Sequence, residues 1–519
     1  MVLDGGNRGR ARRLALGDAL AQHARALPDH TAVVCGAHRA TYRELAGRVD
    51  RVAAVLHAAG VERGERVLWL GYNCHRLFEC LLACARLGAI FSPLNWRWGT
   101  EELSSAIADA APRVVVWQPL GVASPGEQRD AVWIRHDTED ADGYEARLAA
   151  VASSDSGARA PEDGFEHRPV LMFHTAAFGG RPSGALLPEA GLLQQAAIMG
   201  LLEEASPAST YLNCGPLFHI ATMTMTLATL VAGGCNVFVP KVDAAEVCAV
   251  VAAERCTGAY VLRPTAEEIV ALNRDGRFDL SSLRVRTGLA AFDAMTSAET
   301  TRWSARPGGY GQTEAGGLLT YRALGPPPIG SHGWPSPLAH VRVVDPDLRD
   351  VAPGETGEIV ARSPTVMLAY WNRPELTAER QAGGWHHTRD LGRIEADGSL
   401  TFVGPMSRIV KSASENVYPA EVEACLATHP AVAEVAVIGV PDPVWTQRVK
   451  AVVVREPGAD VTPDELVEHC RAHLASYKKP REVVFADALP RRDGRVDYDR
   501  LDADHGGGNY PGSVTDYPT

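Results

Sequence analysis

Residues 41–93 alternate between helical and strand periodicity, and this alternation restricts the possible folds more than any other feature. From Thr41 to Gly60, apolar residues recur at helical spacing (Leu45, Val49, Val52, Ala53, Leu56), and Gly60 acts as a stop. Residues 66–70 then read as a short buried strand, 77–87 as a helix and 89–93 as a second strand. Parallel strands need a crossover, and the crossing helix covers the sheet, so the pattern predicts an α/β fold with a mostly parallel sheet. The same texture continues through 114–239 and 259–320. Between 329 and 403 it gives way to short β runs (341–344, 358–361, 400–403) broken by Pro and Gly, which predicts an all-β subdomain. After Gly404-Pro405 comes a compact α/β unit with a helix after Pro419, strands at 432–440 and 451–455, and a helix from Pro463. Residues 505–519, rich in Gly, Pro, Asp and Tyr, are expected to form a disordered tail. The expected organisation is a large N-terminal domain over 1–403, a small C-terminal domain over 404–504, and that tail.

Composition excludes several function classes. With 519 residues, 46% hydrophobic and 22% charged, the chain is globular and larger than one ordinary module. A net charge of −12 argues against non-specific nucleic-acid binding. The 10 cysteines are scattered without any CxxC, so zinc and thioredoxin-type spacings are absent and reduced thiols are expected. Arg8, Arg10, Arg12 and Arg13 are not followed by an apolar stretch of the signal-peptide kind, and no apolar run reaches the roughly 18 residues of a membrane span. A cytoplasmic protein without membrane or nucleic-acid partners is expected. Oligomerisation remains open.

Four segments hold the residues that carry chemistry. Residues 175–185 read Thr-Ala-Ala-Phe-Gly-Gly-Arg-Pro-Ser-Gly-Ala, and 310–314 read Tyr-Gly-Gln-Thr-Glu. Residues 385–392 read Trp-His-His-Thr-Arg-Asp-Leu-Gly and are followed at 411–423 by Lys-Ser-Ala-Ser-Glu-Asn-Val-Tyr-Pro-Ala-Glu-Val-Glu. Residues 489–496 read Leu-Pro-Arg-Arg-Asp-Gly-Arg-Val. In order and spacing these resemble the adenylate-forming superfamily of acyl-CoA synthetases, peptide-synthetase adenylation domains and luciferases. The resemblance runs from Thr41-Tyr42 to about Leu501. It implies a large N-terminal domain of α/β subdomains plus a small β subdomain, and a small mobile α+β C-terminal domain.

The resemblance also implies roles. In the family, the region of Tyr310, Gly311 and Gln312 flanks adenine, with Gly288-Leu289-Ala290-Ala291 as the loop beside it. Thr313 reaches the α-phosphate, and Glu314 supports Mg²⁺ when ATP is bound. Asp390 takes both ribose hydroxyls, since one carboxylate can accept from two donors. The loop of Lys411 to Asn416, in which the small Ala413 and Ser414 replace glycines, lines the pantetheine tunnel. Trp445, Tyr477, Lys479 and Arg481 fall where related ligases place an aromatic and basic surface for the CoA nucleotide. The segment Pro216-Leu217-Phe218-His219 resembles one in which the histidine or an aromatic gates the acyl pocket, which Thr222, Met223, Thr224 and Met225 would line.

Other positions depart from the family pattern. A phosphate loop of the form TSGTTGxPKG has Ala176, Phe178 and Gly179 at hydroxyl positions and Ser183 at the lysine. Each lost charge-assisted hydrogen bond is worth about 1.5–3 kcal/mol. At the hinge, Pro405 and Ser407 replace an Arg and a charged residue. Arg495 takes the place of the adenylating lysine, a swap that keeps charge but not geometry. These losses all fall on the first half-reaction, and the pattern resembles the non-adenylating acyl-CoA ligases of platensimycin and platencin biosynthesis. The resulting expectation is a ligase that makes acyl-CoA and AMP from a preformed acyl-adenylate and CoA. Thr313, His219 and Ala413 would be catalytic, and no metal would be bound. ATP and Mg²⁺ would go unused, a separate enzyme would supply the adenylate, and the acid would be bulky and diterpenoid-like. Three alternatives stay open: a complete ATP-dependent synthetase in which Arg181, Arg491 or Arg495 stands in for the lysines, a non-catalytic adenylate-binding pseudoenzyme, and amide synthesis or carrier loading.

Overall fold

The computed structural model describes residues 14–120, 130–151, 167–175, 182–406, 409–412, 415–492, 495–508 and 510. The helix expected from Thr41 runs over Tyr42–Ala58. Its start is fixed by a capping box in which Glu44 N donates to Thr41 Oγ1 (3.2 Å) and Thr41 N donates to Glu44 Oε2 (2.8 Å). The strand Arg66–Leu70, the helix His75–Leu87 and the strand Ile90–Pro93 follow. Gly88 ends that helix in the left-handed region (φ 72°), where a β-carbon would be strained.

These elements build a seven-stranded sheet ordered Ala369–Tyr370, Ser183–Pro188, Pro169–Thr175, Ile90–Pro93, Arg66–Leu70, Val114–Trp117 and Val132–Arg135. Its middle strands are parallel, as the alternation predicts. A five-stranded sheet contains Thr31–Cys35, Thr210–Asn213 and Cys235–Phe238. One continuous core joins Val33 and Phe238 of the second sheet to Trp69, Phe91 and Phe173 of the first. It runs through the helices His75–Leu87, Glu189–Leu202 and Ile220–Val231. Apolar residues circle the last two helices almost completely, which suits helices buried on several sides.

The β region forms a four-stranded antiparallel sheet of His340–Val344, Gly357–Arg362, His386–Ile394 and Leu400–Pro405. The third of these strands was missed in the sequence because its polar run lacks alternation. The C-terminal unit centres on the long pair Val432–Asp442 and Thr446–Arg455, covered by the helices Pro419–Ala427 and Pro463–His473.

The expected disordered tail needs a correction over its first residues. Helix Tyr498–His505 reaches into it. Gly508 N donates to Gly439 O (3.0 Å), and Tyr510 Oη accepts from Gly439 N (3.0 Å) and donates to Asp502 Oδ1 (2.8 Å). These backbone partners lie on the long hairpin, some seventy positions away in the chain, and a composition reading cannot register them. Among the described residues no helix is long and apolar enough to cross a membrane, and all ten cysteines are free.

The two units meet at a polar seam. Lys478, 1% exposed, donates to Glu102 of the helix Thr100–Ala110 and to Glu421 (2.6 Å). Ala475 N donates to Glu102 Oε2 (2.5 Å), and Arg97 Nη1 donates to Glu415 Oε1 (3.3 Å). Burial alone would pull the Lys478 ammonium down, but the Glu421 and Glu102 carboxylates outweigh it and hold it above its ordinary value.

Candidate active site

At this seam a cavity of about 730 Å³ opens. One end is the segment of Tyr310 to Glu314. Gly311 pairs with Leu318 so closely that a β-carbon there would come within 2.1 Å of Gly317 O, so glycine is required. The backbone then turns through a short 3₁₀ helix, Thr313–Ala315, which leaves the Thr313 side chain at the cavity wall. The Tyr310 hydroxyl donates to Asp390 Oδ2 (2.6 Å), and Gln312 Nε2 donates to the same oxygen (3.3 Å) and to Thr388 O (3.2 Å). Burial pushes the Asp390 carboxyl up to about 6, with the Tyr310 hydroxyl opposing the shift. Asp390 sits inside a strand, beside Arg389 in the left-handed region (φ 61°) and a register shift between Leu391 and Gly392. The resulting bulge re-aims the strand at the cavity.

The structure therefore brings Tyr310, Gly311, Gln312, Thr313 and Asp390 together in one wall. The ring of Tyr310 stacks on Phe402 at 5.6 Å, a partner the sequence did not flag. Also missed were Tyr370, whose hydroxyl donates to Glu314 Oε1 (2.8 Å), and Arg380, buried with Nη1 on His387 O (3.0 Å). Neither had a local signal, since a lone arginine in a charged helix reads as surface. Glu314 is a buried carboxylate at the cavity edge, a donor of the kind a Mg²⁺ carried in with ATP would meet. Gly288 and Ala290 do not line this cavity; their loop is exposed and tied to Asp293, whose carboxylate accepts from Thr287 N (2.8 Å) and Gly288 N (3.1 Å).

The side wall is Pro216 and residues Phe218 to Thr222, with Tyr260 and Leu262. His219 stands at the N-terminus of the helix Ile220–Val231, packs edge-on against Phe218 (4.6 Å) and lies 3.5 Å from Glu415. Thr222 belongs to the same wall, whereas Met223, Thr224 and Met225 do not line it. Met223 and Thr224 are buried in the core, the reverse of the pocket expected for them.

The C-terminal unit supplies the far wall through Lys411, Glu415, Asn416, Tyr418 and Tyr477. Glu415 is held below the ordinary carboxylate range: burial raises it, and His219, Arg97 and Lys411 together overcome that. Lys411 Nζ donates to Asn416 Oδ1 (2.9 Å), and burial lowers its ammonium. Ala413 lies outside the described residues, as do Ala176, Phe178, Gly179, Arg181 and Ser407.

Of the four residues expected at a CoA surface, Trp445, Lys479 and Arg481 are on the outside, and the Arg481 guanidinium covers the Trp445 ring at 4.4 Å. Tyr477 is a correction. It packs against the N-terminal unit's core cluster that holds Trp98 and Leu103 and faces the cavity, where Glu102 ties the turn at 474–478 into the seam. Arg491 pairs with Glu434 (2.9 Å) away from the cavity.

Comparisons with known proteins agree with this architecture. The family model described as AMP-binding enzyme matches residues 20–371, and its C-terminal domain matches 421–493. The chain is 38% identical to a feruloyl-CoA synthase of an Amycolatopsis species over 490 residues, covering 92% of this chain and 96% of the relative. It is 36% identical to an indoleacetate–CoA ligase of Aromatoleum aromaticum over 497 residues, covering 92% and 95%. Among solved structures, a double mutant of o-succinylbenzoate CoA synthetase from Bacillus subtilis, bound with a product analogue, superposes with a TM-score of 0.79. It covers 93% of this chain and 97% of that one at 23% identity. The expectation that ATP and Mg²⁺ go unused is corrected by these relatives. Over nine-tenths of its length the chain matches CoA synthases and ligases, whose free acids must be activated by ATP with Mg²⁺ before CoA can take them. The departures touch side chains at a few positions, and these weigh less than likeness over nine-tenths of the chain. The chain belongs to the AMP-binding enzyme family, the adenylate-forming superfamily, as an acyl-CoA ligase.

Proposed function

We propose that this protein is a complete acyl-CoA ligase for a flat aromatic carboxylic acid. In the first step a carboxylate oxygen attacks the α-phosphorus of ATP and pyrophosphate leaves. In the second the CoA sulfur attacks the acyl carbon, AMP leaves and the thiol proton is released. Asp390 with Gln312 and Tyr310 would hold the nucleoside, Thr313 the α-phosphate, and His219 would gate the acid. The loop of Lys411 to Asn416, with Ala413, would border the pantetheine path. Residues 1–403 and 404–504 would act as the two moving units, with Trp445, Lys479 and Arg481 meeting the CoA nucleotide. The observation that carries this reading is the single cavity: the Asp390–Tyr310 wall and the Lys411–Glu415 wall face each other across one space at the seam. That arrangement suits the thioester-forming step, where positioning does most of the work.

Aromatic selectivity rests on the side wall of Phe218, His219, Ile220, Tyr260 and Leu262, and on relatives named for ferulate and indoleacetate. A space of about 730 Å³ that also receives AMP favours a flat ring over a polycyclic diterpenoid. The test offers ATP, Mg²⁺, CoA and a panel of phenylpropenoic, arylacetic, fatty and tetracyclic diterpenoid acids, following pyrophosphate and thioester together. Pyrophosphate and thioester in equal amounts, greatest with the aromatic acids, are expected. Thioester only from a supplied acyl-adenylate would overturn the proposal and restore a half-enzyme served by a separate adenylating partner. Thioester greatest with the diterpenoid acid would overturn the acid class alone.

A further inference from the structure

On the C-terminal unit, away from the cavity, three side chains of metal-ligand type converge. Cys425 lies on the helix Pro419–Ala427; His469 and His473, four apart, share one face of the helix Pro463–His473. One ligand atom from each falls within 4.8 Å of the other two. A tetrahedral zinc-class site, with bonds of about 2.0 Å to nitrogen and about 2.3 Å to sulfur, needs ligand atoms roughly 3.3–3.8 Å apart, a contraction within reach of rotamer adjustment.

The histidines are held as metal-binding imidazoles usually are. His469 Nε2 faces Cys425 O (3.2 Å) and Thr428 Oγ1 (2.8 Å), and His473 Nδ1 faces His469 O (2.7 Å). Each ring thus spends one nitrogen on a backbone carbonyl, which fixes its orientation. His429 packs edge-on to His469 at 5.1 Å. Glu101, in the first turn of the helix Thr100–Ala110, bears electrostatically on both Cys425 and His469 and offers negative charge from across the seam.

We propose that Cys425, His469 and His473 form a binding site for a soft divalent cation of the zinc class, next to the seam between the two units. The site is independent of the ligase reading.

The test uses the full chain, stripped with a chelator and titrated with Co²⁺ under reducing conditions. One equivalent is expected to bind with a thiolate-to-cobalt charge-transfer absorption and tetrahedral d–d bands, all displaced by Zn²⁺. Cys425→Ser is expected to abolish the charge-transfer band. His473→Gln, at the end of its helix and therefore tolerant, is expected to weaken affinity at least tenfold and to remove the rise in Tm that Zn²⁺ gives the parent. No charge-transfer band in the parent, or a band and affinity unchanged in both variants, would overturn the proposal.

Discussion

The Lys478 ammonium crosses the seam to the Glu102 carboxylate, with both side chains almost wholly buried. Removing one member of a buried ion pair costs roughly 3–5 kcal/mol when the other stays buried. Here that cost falls on the docking of one unit against the other, because Lys478 keeps Glu421 within its own unit. Glu102→Gln is therefore expected to slow thioester formation from a supplied acyl-adenylate by at least tenfold. Pyrophosphate release from ATP should change less than the thioester step does. Equal losses in both partial reactions would show that the pair stabilises the fold and not the docked arrangement.

Asp390 sets a pH dependence. Burial lifts its carboxyl to about 6, so it is ionised above that pH and protonated below it. Protonation removes acceptor capacity, so nucleotide affinity is expected to fall as pH drops through about 6. Asp390→Asn should weaken ATP binding by about 1.5–3 kcal/mol at neutral pH. It should also flatten the pH profile, which calorimetry across the range would read directly.

The Arg481–Trp445 pair lies outside the cavity and predicts a selective effect on CoA. A cation over an indole is worth about 0.5–2 kcal/mol. Trp445→Ala is expected to raise KM for CoA between about twofold and thirtyfold. The pyrophosphate signal with acid and ATP alone should stay at the parental level. A variant with normal KM for CoA would remove this surface from the binding path.

His219 joins the side wall of the cavity to Glu415 at 3.5 Å. His219→Ala is expected to raise KM for the aromatic acid by about tenfold, as lost packing and a lost polar contact together approach 1.4 kcal/mol. It should also relax selection against larger acids, since the wall is thinned at that point. Initial rates on a homologous acid series would detect both effects, and an unaltered series would assign His219 to packing alone.

The sequence by itself determined the elements and their class. Helical spacing and the Gly60 stop made one helix predictable, alternation made the sheet predictable, and a five-residue motif put Tyr310 to Glu314 in a wall of the cavity. Each is a local matter of backbone conformation or periodicity, which neighbouring residues decide. The motif losses were legible too, yet they misdirected the reading about ATP, because a few side-chain identities weigh less than likeness over nine-tenths of the chain. Only the tertiary structure decided which residues meet. Lys478 and Glu102 are 376 positions apart, and Tyr310 and Asp390 are 80 apart. Tyr477 turned inward because its segment is held at the seam, and the Cys425–His469–His473 cluster exists because two helices pack. Burial and long-range pairing are properties of the assembled core, so no window of sequence contains them.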